Sequence, residues 1–155
     1  MTGVQTCALP IFEKIRGLAA ATRDPLAKRQ LDEALAYVRD PALAQKALAL
    51  AVTDEIPGPT RPLMIRRVAV ENPDLAWAFA LKSLDVISAN LDLRQRYQYA
   101  AQVAAPSTDT ARADELAAYA KANYPEGARR FALTTEAEMR KRAKARPAEI
   151  GRAHV

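Results

Sequence analysis

The sequence predicts an all-α chain in which short helices stack as repeats. Its 155 residues are 50% apolar yet hold only 5 Gly and 10 Pro, and no alternating Val/Ile/Thr-rich run bounded by turns interrupts them. One helix-start device recurs at Asp24-Pro25, Asp40-Pro41 and Asn72-Pro73, spaced 16 and 32 residues apart. In each, a capping side chain precedes a proline that sits in the first turn, where no amide partner is needed. A helix with its turn takes about 16 residues and a pair about 32, near the periods of helical-repeat proteins. The missing step falls on Pro57, but Ile56 before it has no capping oxygen.

The third observation is the stretch NPDLAWAFALKSLDVISANL, residues 72–91, which reads as one long helix around which the chain is organised. At about 100° per residue, Trp77, Ala80, Leu81, Leu84, Ile87 and Leu91 fall on one side, and Leu75, Phe79 and Val86 on nearly the opposite one. A helix with two apolar sides is expected to be covered from both, as in a stack of repeats.

The other elements follow in order. FEKIRGLAAAT, from Phe12, carries Phe12, Ile15, Leu18 and Ala19 at helical spacing. After Asp24-Pro25, the residues Ala27, Leu31, Ala34, Leu35 and Val38 form a stripe, and after Asp40-Pro41 Leu43, Ala47 and Leu50 form another. TDEIPGPTR, residues 53–61, holds two prolines and a glycine and reads as a turn. Helices are then expected over 62–70, 93–103, 111–122 and 127–145, the last stopped by Pro147, giving about seven or eight in all.

The two ends differ from this body. MTGVQTCALPI, residues 1–11, has no charged side chain and no helical stripe. It resembles translated sequencing-library adapter DNA, as does IGRAHV, residues 150–155. The natural segment is therefore expected to span 12–149, as one helical-repeat domain. The only cysteine, Cys7, and the only histidine, His154, lie in these ends. They are not read as a nucleophile with its base or as zinc ligands, because a catalytic pair needs a positioned third group and a zinc site needs three or four ligands. Nor does Cys7 report a redox compartment.

The order FEKIRGLAAATRDPLAKRQLDEALAYVRDPALAQKALALAVTDEIP, then ENPDLAWAFALKSLDVI, resembles the C-terminal helical domain of zinc aminopeptidases of the puromycin-sensitive and endoplasmic-reticulum type, most closely bacterial members. The resemblance covers nearly all of 12–149, and its most specific parts are Asp40-Pro41, Thr53-Asp54-Glu55-Ile56 and Asn72-Pro73 through Trp77. It implies a HEAT/armadillo-like α-solenoid fragment, the last helices of a domain that closes over a catalytic domain and helps to form a peptide-holding chamber. The implied partners are the catalytic domain of the same parent chain and its peptide substrates. The family holds its zinc with an H-E-x-x-H helix and binds the substrate N-terminus with a G-x-M-E-N segment, and neither string occurs here. No catalytic, cofactor-binding or metal-binding residue therefore carries over. The zinc belongs to the missing catalytic domain, and this piece is expected to be inactive. A stand-alone helical-repeat interaction module is the alternative; it would need capping repeats at both ends, and a chain that starts within a repeat speaks against it.

Charge and composition add little. The formal charge of +5 is spread over 23 basic and 18 acidic residues, and no apolar run approaches the roughly 20 residues of a membrane span. The basic series Arg129, Arg130, Arg140, Lys141, Arg142, Lys144 and Arg146 is accompanied by Glu126, Glu136 and Glu138 and lacks a binding motif, so a solvated outer face is expected rather than a nucleic-acid surface. Asp32-Glu33, Glu136 and Glu138 could be offered as paired acid and base, but with Arg and Lys neighbours on helices they read as surface groups. Trp77 shares a stripe with Leu81 and Leu84 and reads as core. Arg94, Arg96, Tyr97 and Tyr99 are the candidate peptide-facing set, mixing aromatic and cationic groups, although a partly exposed helix would carry the same residues.

Overall fold

The structure, a computed structural model, describes the backbone of residues 3–152 and the side chains of residues 8–146. Among these the chain is all-helical, with nine α-helices and no strand. It divides into two compact units, the first ending at Leu91 and the second beginning at Asp92.

The first unit holds α1 (Gly3–Ala21), α2 (Pro25–Ala34), α3 (Pro41–Ala51), α4 (Arg61–Glu71), α5 (Pro73–Lys82) and the five-residue α6 (Leu84–Ser88), with a 3-10 turn at Gly58–Thr60. Two of the three helix-start devices act as expected. The Asp24 carboxylate accepts from the Leu26 amide at 3.0 Å, and the Asp40 carboxylate from Ala42 at 2.7 Å and Leu43 at 3.2 Å. Each satisfies amides that a helix start leaves without partners. Consecutive helices pack on one another: α1 on α2, α3 on α4, α4 on α5.

The centre of this unit is α4, not the stretch 72–91. Met64, Ile65, Val68 and Ala69 are all fully buried, and α4 touches α2, α3 and α5. The adjacent pairs at 64/65 and 68/69 give α4 one broad inner face, while Arg66 and Arg67 stay exposed. The expected helix 72–91 is itself two. Ser83, at φ −109° and ψ 14°, leaves helical geometry, and its amide bonds both the Phe79 and Ala80 carbonyls, the tightened pattern of a last turn. Cover from both sides is correspondingly partial: Trp77, Ala80 and Ile87 are buried, Leu75 and Phe79 half-buried, and Val86 exposed.

Two further boundaries differ from expectation. α1 does not start at Phe12 but runs from Gly3 through the 11/12 junction, with Pro10 inside it, where the ring withholds one amide from the ladder. Phe12 is buried at 4% exposure, while Ile11 and Leu18 of the same helix face outward. Pro147 does not stop the last helix, which continues to Arg152.

The second unit holds α7 (Leu93–Ala104), α8 (Thr110–Asn123) and α9 (Arg130–Arg152), with a 3-10 turn at Glu126–Ala128. All three helices pack on one another. The small side chains Ala100, Ala101, Ala104, Ala113, Ala120 and Ala132 are buried between them, filled out by Leu116, Val103 and Met139. On α9, Ala132, Thr135 and Met139 are buried on the inner side.

Candidate functional site

The start of α7 is fixed by a reciprocal cap. The Asp92 carboxylate accepts from the Gln95 amide at 2.8 Å, and the Gln95 side-chain oxygen accepts from the Asp92 amide at 2.9 Å. That start places Leu93, Arg94, Tyr97 and Gln98 along one side of α7. They form one wall of an open groove of about 830 Å³. The other wall comes from the 3-10 turn and the first turns of α9: Gly127, Ala128, Arg130, Phe131 and Thr134.

The groove has a firm back. Tyr97 meets the Tyr124 ring edge-on at 5.2 Å, and Tyr124 meets Tyr119 at 5.6 Å and 88°. Tyr124 is buried, and its hydroxyl donates to the Arg96 carbonyl at 3.3 Å. Burial pushes the Tyr119 and Tyr124 hydroxyls above the ordinary phenol range, so both remain neutral donors at physiological pH. Arg129 fixes the loop beside them, donating to the Tyr124 carbonyl at 2.9 Å and the Lys121 carbonyl at 3.1 Å. The last carbonyls of α8 thus gain a cationic partner.

The four residues singled out from sequence separate here. Arg94 and Tyr97 line the groove together. Arg96 is exposed but outside the lining, and Tyr99 is 2% exposed, within the core. Two residues along a helix turn it by about 200°, so Arg94 and Arg96 point to opposite sides, and Tyr99 is turned likewise away from Tyr97 and the groove. Tyr99 therefore lies in the core and not on the groove. Arg130 and Phe131 complete the groove, although in the sequence they are indistinguishable from the basic run around them.

That run is mostly committed to internal bonds. Arg140 pairs with Glu136 and with Asp114 on α8. Arg142 donates to the Ala105 carbonyl, and Arg146 to the Thr108 hydroxyl at 2.9 Å. These side chains staple α9 to α8 and to the loop before it. Of the carboxylates weighed as acid and base, Asp32, Glu33 and Glu136 are likewise occupied. Glu33 pairs with Arg29 at 2.8 Å and Arg67 at 3.7 Å, while Asp32, 1% exposed, pairs with Lys28 at 3.2 Å.

Asp32 belongs to a second cluster, around a cavity of about 240 Å³ that Arg16, Lys28, Glu55 and Ile56 also line. Burial raises the Asp32 pKa, with Lys28 opposing it. The Arg16 guanidinium binds both oxygens of Glu55, at 3.0 Å on one, and lowers the Glu55 pKa. Cations close every pairing, which suits a structural ion cluster. Among the described residues, no group of three or more His, Cys, Asp or Glu side chains could hold a metal ion, and no helix is long and apolar enough to cross a membrane. Cys7 and His154 lie outside the described side chains.

These features define an all-helical protein whose second unit presents a firm-backed aromatic groove with arginines on both walls. No protein-family model, curated protein or solved structure matches the chain.

Proposed function

We propose that the chain is a non-catalytic C-terminal helical domain of a zinc aminopeptidase of the puromycin-sensitive or endoplasmic-reticulum type, HEAT/armadillo-like in its stacking, and that the α7/α9 groove is its peptide-facing surface. The groove carries this proposal: Arg94 and Tyr97 stand together on it, and it has the size and mixed apolar and cationic lining that suit a short extended segment. The residues that carry the family resemblance support it in another way, because they have structural work and no reactive grouping. Asp40 caps α3, Asp54 pairs with Arg61 at 3.3 Å, Glu55 pairs with Arg16, Ile56 is buried, and the Thr53 hydroxyl donates to the Leu50 carbonyl at 2.8 Å. In this proposal zinc and its chemistry reside in the catalytic domain of the parent chain.

The test is the natural reading frame upstream of Phe12. An H-E-x-x-H helix and a G-x-M-E-N segment encoded several hundred residues earlier are expected. A frame without them would overturn the aminopeptidase parentage and leave a free-standing helical interaction module.

A further inference from the structure

Several arginines of the second unit are engaged within it. Arg129, Arg140, Arg142 and Arg146 each donate to a carbonyl, carboxylate or hydroxyl of their own unit. Arg94 and Arg130, one on each wall of the groove, make no hydrogen bond or ion pair among the described residues. No carboxylate lines the groove between them. Its remaining surface is apolar and open, with Leu93 at 64% and Phe131 at 39% exposure beside the half-buried Tyr97 ring. Two guanidiniums without acceptors above an aromatic floor are complementary to carboxylates separated by apolar side chains.

We infer that the α7/α9 groove binds an acidic peptide segment, with internal Glu or Asp side chains on Arg94 and Arg130 and an apolar residue between them on Tyr97 and Phe131. The ligand class rests on the peptide-holding proposal above. The charge pattern favours a peptide over nucleic acid, because only two arginines here lack acceptors and the exposed Glu126 and Glu138 lie on the same elements, whereas backbone recognition of a nucleic acid uses many phosphate contacts. Two cations on opposite walls also exceed what a single chain-terminal carboxylate needs, so the acidic groups are placed within the segment.

The test is a titration of the full chain with the blocked hexapeptide acetyl-Gly-Glu-Leu-Phe-Glu-Gly-amide and with its counterpart carrying Gln for both Glu. The acidic peptide is expected to saturate the chain below about 1 mM, and the neutral one to bind at least about tenfold more weakly. Arg94→Gln and Arg130→Gln should each weaken binding roughly fivefold, as expected for exposed charge pairs, with the loss shrinking at high salt. Arg96→Gln, outside the groove, should not change it. Both groove arginines are exposed, so unchanged circular dichroism melts are expected to accompany the loss. Equal binding of the two peptides, no saturation below 1 mM, undiminished binding by the Arg94→Gln/Arg130→Gln double variant, binding only of peptides with a free carboxyl terminus, or displacement by oligouridylate at lower concentration would each overturn the inference. The titration uses this chain alone, so its result is independent of what the upstream reading frame encodes.

Discussion

The side-chain amide of Asn72 donates to the carbonyl of Val38, 34 residues away, at 2.8 Å. Asn72 is 8% exposed, sits between α4 and α5 and makes no capping bond to α5. It ties the α4–α5 corner to the loop that joins α2 to α3. The same loop is held by Arg39 on Glu71 at 3.4 Å and by Arg67, whose guanidinium lies 5.1 Å from the Tyr37 ring centre.

The consequence is a pair of variants with opposite expectations under the two roles. As a cap, Asn72 could be exchanged for Asp at little cost. As a donor to a carbonyl it cannot, since a carboxylate would face the Val38 oxygen. Asn72→Asp should therefore destabilise by more than Asn72→Ala, itself about 1–3 kcal/mol for a buried acceptor left unmet. Urea unfolding measures both, and an Asn72→Asp protein as stable as the parent would contradict the tie.

Asp32 sets a pH dependence. Its folded pKa is raised above its ordinary 3.8, so its contribution to stability is full below that value and is lost as pH rises through the folded pKa. Asp32→Asn removes the buried charge and frees Lys28, which is already partly exposed. The variant should be about 1 kcal/mol more stable than the parent at pH 7, and the gap should close as the pH falls below 3.8. Glu55, whose pKa is lowered, works in the opposite sense, contributing above its ordinary 4.5 and losing that contribution as the pH falls through its folded pKa. A gap that widens on acidification would refute the assignment for Asp32.

Gly58 lies against Asn90, in the turn after α6. A Cβ there would meet the Asn90 side-chain oxygen at 2.1 Å, and no glycine among the described residues has positive φ, so the obstacle is space and not backbone conformation. Gly58→Ala should cost about 1–3 kcal/mol. Adding Asn90→Ala should recover most of it. Failure of the second substitution to help would show that the contact is not the cause.

The outer side of α1 separates burial from association. Phe12, buried against its own unit, should cost about 3–5 kcal/mol on truncation to Ala. Leu18 is 51% exposed and lies one turn-pair from Ile11 at 58%, an apolar side on which association between molecules would rest. Leu18→Lys should leave the melting temperature nearly unchanged and reduce light scattering at high concentration. A monodisperse parent over a wide concentration range would remove the basis for that association.

Local signals were legible in the sequence and distant ones were not. Asp24-Pro25 and Asp40-Pro41 announce helix starts because a cap acts within three residues. The stripe Leu43, Ala47, Leu50 announces its buried side because period alone sets it. Asn72-Pro73 has the same local form, but its side chain is claimed by Val38, a partner that no local pattern names. Pro147 looks like a stop, yet it lies within a helix. In the groove, Arg94 and Tyr97 were legible as a pair three residues apart. Arg130 and Phe131 join them only through the packing of α9 on α7, which brings residues over 30 positions apart onto one groove.

The measurement that tests the central claim most directly is zinc content and aminoacyl-substrate hydrolysis for two proteins: this chain, and the natural protein extended upstream of Phe12. The account predicts one zinc per extended chain with aminopeptidase turnover, and neither for this chain after dialysis. Retention of zinc with turnover by this chain alone, or an extended protein with neither, would contradict it.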